Sequence, residues 1–216
     1  MPIIVPIGTG TTAGTGVVTY SGLVSTLGDW LNRDDLDLTS QIPNFIALFE
    51  AKLNRVLRVI DMEETVELTA DPTADLPTDF LSLRSLRISD GGELEGTSLR
   101  ALHEAYEDVT GTPAMFAISD GLIHLGPAPA DEETLSLVYF QAIPALSADN
   151  ETNWLIVSHP DIDLYGALTM AEAFLWNDER IGLWKSALEE ALDELRQHGI
   201  KKAHGGSLVP RARNVA

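Results

Sequence analysis

"IPNFIALFEAKLNRVLRVI", residues 42–60, is the stretch on which the reading of the fold turns. Ile42, Phe45, Ile46, Phe49, Leu53, Val56, Leu57 and Ile60 recur at three- and four-residue steps, the repeat that gathers side chains on one face of an α-helix. Thr39 or Ser40 is placed to start this helix, and Pro43 is tolerated in a first turn, where its missing N–H lacks an intrahelical acceptor in any case. The opposite face offers Glu50, Lys52, Asn54, Arg55 and Arg58 to solvent. Burying the eight apolar side chains is worth roughly 1.5–3 kcal/mol each before conformational entropy is subtracted. The helix therefore needs partners.

Those partners are found by working outward. Upstream, Leu23, Leu27, Trp30 and Leu31 share a helical face with Thr19 or Ser21 as N-cap, and "NRDDLDLTS" then breaks the pattern. Residues 1–18 carry no charged side chain and are rich in Gly, Thr, Pro and β-branched residues. They disfavour a helix and predict an extended arm that reaches on the order of 55 Å. Downstream, residues 63–143 turn strand-like. "ETVELTA" alternates apolar with polar, "FLSLRSLRI" and "TLSLVYFQ" read as strands, and "AMFAISDGLIHLGPAP" reads as a hairpin turning at Ser119-Asp120-Gly121. A short helix is predicted over Ser98–Asp108. Helical spacing returns with Leu164, Leu168, Ala171 and Leu175, and again with Ile181, Trp184, Leu188, Ala191, Leu192 and Leu195, split by the turn "WNDER". The order predicts an α+β fold: mainly a bundle of four long helices, with a small β subdomain inserted between the second and third. The expected division is an arm at 1–18, a bundle from 19–62 and 144–198, a β-rich insertion at 63–143 and a basic tail at 199–216.

Composition narrows the function. The chain has 216 residues, a net charge of −19 and no cysteine, which removes thiolate zinc sites and cysteine nucleophiles and suits a reducing compartment. No run approaches the roughly 20 apolar residues of a membrane span, and the N-terminus has no signal-peptide pattern, so a soluble, unsecreted protein is expected. Charge is uneven: residues 1–195 hold all 33 acids, whereas 196–216 hold Arg196, Lys201, Lys202, Arg211 and Arg213 and no acid. The body should repel nucleic-acid phosphates, and only the tail is suited to an acidic partner.

Candidate chemistry is sparse. In "SHPDID" (158–163), Ser158 three residues before Asp161 has the form of a capping box, Pro160 fits a first helical turn, and Asp161 and Asp163 suit the positive end of the helix dipole. Helix initiation outweighs a metal or acid/base role for His159. "HEAYE" (103–107) is half of a zincin motif, with Glu107 where the second His would stand. Gly8-x-Gly10-x-x-Ala13 imitates a dinucleotide fingerprint, but no helix-forming residues or βαβ unit follow. A metal-dependent hydrolase using His103 or His159 is the enzymatic alternative. The favoured reading assigns no catalytic, cofactor-binding or metal-ligating residue.

Several segments taken in order resemble the head-to-tail adaptor proteins, the portal-adjacent connectors of short-tailed (podovirus-like) and related tailed bacteriophages. They are "TYSGLVSTLGDWLNRDDL", "IPNFIALFEAKLNRVLRVIDME", "LPTDFLSLRSLRI", "IHLGPAPADEETLSLVYFQAIPALSADNETNWLIVSHPDIDLYGAL", "DERIGLWKSALEEAL" and the closing "GGSLVPRAR". The resemblance implies a structural virion protein of the neck between capsid and tail. It also implies a homo-oligomeric ring of about twelve copies, contacting the portal on one side and a tail nozzle or further tail ring on the other. DNA would pass through its channel without specific binding, and another ring of the neck or tail is the alternative. It further implies portal contacts by Lys201, Lys202, Arg211 and Arg213, with Leu208 and Val209 as apolar anchors, and pairing of the N-terminal arm with a neighbouring subunit or tail ring.

Overall fold

Thr19 opens the first helix, its Oγ1 accepting the Gly22 N–H at 3.1 Å. Helix α1 (Tyr20–Leu31) follows and stops where Asn32 adopts the left-handed conformation, φ 51°. The computed structural model describes residues 16–32, 36–89, 91–175 and 178–203. Most of the arm, residues 1–15, and the tail beyond 203 lie outside them. Helix α2 (Leu36–Val56) starts before Thr39 and ends before Ile60, so Pro43 sits inside it rather than in its first turn. The helix cannot run on to Ile60, because Val59 is extended and leads through a 3-10 turn, Ile60–Met62, directly into a strand. Two faces are corrected with it: Val56 is 61% exposed, and Glu50, expected in solvent, is 5% exposed.

The β elements follow as β1 (Glu63–Ala70), β2 (Thr73–Asp75), β3 (Phe80–Ile88) and β4 (Glu95–Gly96), then α3 (Leu99–Tyr106) behind its N-cap Ser98. After these come β5 (Met115–Ser119), β6 (Leu122–Gly126) and β7 (Glu133–Gln141). They form two sheets. The first is antiparallel, ordered β1-β7-β3, with Ala70 opposite Glu133 at one end and Glu63 opposite Phe140 at the other. The second is ordered β2-β6-β5-β4, with β4 parallel to β5. The two-residue turn between β5 and β6 needs positive φ twice, which Asp120 (52°) and Gly121 (78°) supply. Along β7, Leu135, Leu137 and Tyr139 point inward while Thr134, Ser136 and Val138 alternate outward, the period-two pattern of a strand with one buried face. Leu86, Phe116, Ile123 and Leu125 complete that core.

The chain then returns to helix: α4 (Trp154–Ser158), α5 (Pro160–Phe174) and α6 (Asp178–Ala203). Asn153 caps α4, its Oδ1 accepting the Ile156 N–H at 2.9 Å. Pro160 ends α4, because proline disfavours helical geometry in the residue before it, and His159 there has φ −139°, ψ 59°. Helix α5 is buried around most of its circumference, Ile162, Leu164, Ala167, Leu168 and Ala171 included. At Gly166 a Cβ would lie 2.2 Å from the Phe49 ring, so only glycine admits this approach of α5 to α2.

The described residues thus hold six helices and two sheets of seven strands, not a four-helix bundle with one small insertion; the α+β class stands. Two causes produce the difference. Proline at 160 splits off a short helix, α4, and the strand-like region closes into two sheets with α3 among them. The chain divides into two compact units, one comprising the described residues up to Ala51 with Pro144–Leu192, the other Lys52–Ile143 with those from Asp193. The final turns of α2 and α6 therefore belong to the β-containing unit. No helix among the described residues is long and apolar enough to cross a membrane.

Candidate assembly interface

The residues singled out in the sequence do not gather at one place. Lys201 and Lys202 lie in the last turn of α6, which continues through residues expected in the tail. Lys201 is exposed, and Lys202 Nζ lies 2.5 Å from Asp61 Oδ1. Leu208, Val209, Arg211 and Arg213 lie outside the described residues. His103 lines a cleft of about 320 Å³ with Tyr106, Glu107, Asp108 and His124. Among the described residues no three His, Cys, Asp or Glu side chains converge so as to hold a metal ion. His159 is the N-cap residue of α5 but makes no side-chain capping bond.

The "SHPDID" reading is right about Pro160 and the two aspartates, which occupy the first turn of α5. It is wrong about the capping box. Ser158 is the last residue of α4 and so has helical backbone, not the extended geometry that an N-cap requires. Asp163 also has a different environment from the one expected. It is 1% exposed, and neither carboxylate oxygen has a hydrogen-bond partner. Burial, with Glu50 and Asp161 adding repulsion, pushes its carboxyl up to about 8. Burial likewise pushes Glu50 up to about 7, against the Leu146 N–H that its Oε1 accepts at 3.0 Å. A third acid of the same unit, Glu172, is fully buried. Its Oε1 lies 2.9 Å from Arg180 Nε without the alignment of a hydrogen bond. Arg180 also donates to the Trp30 carbonyl at 3.1 Å and lies over the Trp184 ring.

In the β-containing unit a second cleft, of about 330 Å³, opens where the segment after α2 (Arg58–Ile60) and the end of α6 meet the sheet end that carries Glu63 and Phe140. Arg58, Arg84 and Arg196 stand around it, with Glu63 as the acid among its lining residues. Arg58 is held by its own helix end, donating to the Asn54 and Leu57 carbonyls, and to Ser82 Oγ at 2.9 Å. Arg84 Nε lies 3.1 Å from Glu63 Oε1, and its guanidinium covers the Phe140 ring at 5.8 Å. Sequence reading treated Arg58 as a solvated face and did not single out Arg84 as a site residue. The three arginines are far apart in the chain, and only the return of α6 brings Arg196 beside the other two.

The surface also keeps large apolar side chains in water. Leu48, Val157, Phe174 and Leu183 are more than half exposed on helices of the first unit, and Val56 and Ile200 on the second. These side chains are accessible to a further chain.

A family model described as the SU10 adaptor protein matches residues 18–211. The chain belongs to the SU10 adaptor protein family. It is accordingly a phage adaptor, a structural protein of the virion. The match begins two residues before α1 and excludes nearly all of the uncharged arm. No individually curated protein matches the chain. Exposed apolar helix positions and the arginine cleft are among the surface features of its described residues.

Proposed function

We propose that this adaptor assembles as a ring of about twelve copies between the portal and the tail, enclosing the passage through which the genome leaves the capsid. The observation that carries the reading is the match of residues 18–211 to the adaptor family; in a ring, the exposed apolar residues on α2, α4, α5 and α6 are available for burial between neighbouring copies. The net charge of −19 supports a passage over which DNA slides, since phosphate binding depends on cationic neutralisation. In this reading Lys201, Lys202, Leu208, Val209, Arg211 and Arg213 dock on the portal, and the arm of residues 1–18 pairs with a neighbouring subunit or the next ring of the tail.

Negative-stain imaging of the full chain, alone and mixed with portal, tests the ring. Rings that appear alone or on portal are the expected result, and a monodisperse monomer that leaves portal unchanged refutes it. Truncation after Ala203 tests the tail, because it spares α6 and the Lys202–Asp61 pair. The truncated subunit should melt as the full chain does and fail to join portal; undiminished co-assembly would remove the tail from the interface.

A further inference from the structure

We infer that the arginine cleft receives the acidic turn Asp131–Glu133 of a second copy, an assignment that rests on the ring reading and specifies its contact. A chain of net charge −19 repels its own copies, so a locus of opposite sign at their contact offsets that repulsion. Arg58, Arg84 and Arg196 surround a cleft of about 330 Å³ that Phe140 and Glu63 also line; with Arg84 paired to Glu63 and Arg196 to Asp193, three cations face two acids and one positive charge is left over. Planar guanidinium groups beside an aromatic surface suit carboxylates, which they bind in paired, charge-assisted hydrogen bonds.

The complementary element lies at the other end of β7 from Phe140. β7 begins at Glu133, immediately after Asp131 and Glu132, and reaches the cleft at Phe140. At the usual strand rise these two ends are about 23 Å apart. Asp131 and Glu132 are exposed, and among the described residues none of the three acids forms an ion pair or a side-chain hydrogen bond. The acidic turn at the start of β7 and the arginine cleft beside its far end therefore cannot meet within the chain. Two different, complementary patches on one molecule generate head-to-tail contacts, the kind that closes into a ring.

Because the chain has no cysteine, a variant carrying both Arg196→Cys and Glu132→Cys reads this contact directly. Assembled on portal and oxidised, it should yield a ladder of covalent multimers that reducing agent collapses. In parallel, Arg84→Glu with Arg196→Glu, and separately Asp131→Lys with Glu132→Lys, should each raise the concentration needed for assembly at least about tenfold. Combining the four reversals in one chain should restore most of the loss, and unchanged melting would show that each variant folds. Wild-type rings accompanied by an uncross-linked cysteine variant and freely assembling reversals overturn the inference and leave the ring intact. Loss of portal binding on cleft reversal, without cross-links between copies, would assign the cleft to the portal and overturn it as well. Absence of any wild-type ring defeats the ring reading itself, and this contact with it.

Discussion

The two units of this adaptor place their charges in opposite ways. The helical unit buries three carboxylates, Glu50, Asp163 and Glu172, none more than 5% exposed. The β-containing unit keeps its ion pairs at the surface: Arg84 with Glu63, Arg100 with Glu104 and Arg196 with Asp193 all retain substantial solvent exposure. Removing a buried charge's partner leaves an uncompensated ion in low dielectric, whereas a surface pair is already well solvated. The contrast teaches that buried acids govern the stability of the first unit, whereas the second keeps its charges in contact with solvent.

The largest expected effect is on pH dependence in the helical unit. The folded-state carboxyl of Asp163 sits at about 8, above its ordinary 3.8, and that of Glu50 at about 7, above 4.5. Folding therefore favours the protonated groups. Their stabilisation is complete below the unfolded values and is lost as pH rises towards 8, after which the curve flattens. For Asp163 this amounts to something on the order of 6 kcal/mol across that window. Calorimetric melting from pH 5 to 9 should show the wild type falling, with Asp163→Asn removing most of the slope. Parallel curves for the two proteins would show that Asp163 is not buried as a neutral acid.

Next in size is Arg180→Ala, which strips the buried Glu172 of its counter-charge and should lower unfolding free energy by roughly 3 kcal/mol, with Arg180→Lys losing less. Denaturant titration measures it. A loss below about 1 kcal/mol would place Glu172 in the same solvated class as the acids of the second unit.

These buried acids were partly legible in the sequence. "LYGALTMAEAFLW" has no wholly polar face, and a helix that is apolar around its circumference is buried, so any acid on it, Glu172 included, is drawn in with it. Reading Asp163 only as a helix-dipole partner missed this. Strands with one buried face and the Asp120-Gly121 turn were legible because periodicity and turn chemistry are local. The end of α2 was not, since its apolar spacing continues to Ile60 while the backbone leaves the helix after Val56. Nor was the arginine cleft, whose members are brought together by β3 and the return of α6, pairings that no local pattern encodes.

A smaller effect sharpens the packing side of the comparison. Gly166→Ala drives a methyl group against the Phe49 ring, three of whose atoms lie within 2.4 Å of the new Cβ position. The expected loss is about 2 kcal/mol. Phe49→Leu alone should also destabilise, but the double variant should lose less than the sum of the two, because the smaller side chain relieves the clash. Strict additivity in chemical denaturation would mean that the two sites do not touch.

The smallest effect belongs to the second unit and is the most discriminating. Arg84→Gln removes the contact with Glu63 and the cation over Phe140, yet the arginine side chain is 56% exposed and Glu63 remains partly hydrated. Loss of an exposed pair and a solvated cation–π contact should together change unfolding free energy by no more than about 1 kcal/mol, and the change should shrink further in high salt. A loss of several kcal/mol would mean that the arginines hold the sheet end together, and the division between a unit whose stability turns on buried acids and a unit that displays its charges would fail. A near-neutral melt, with assembly impaired in the same variant, is the outcome that separates recognition from stability at a single residue.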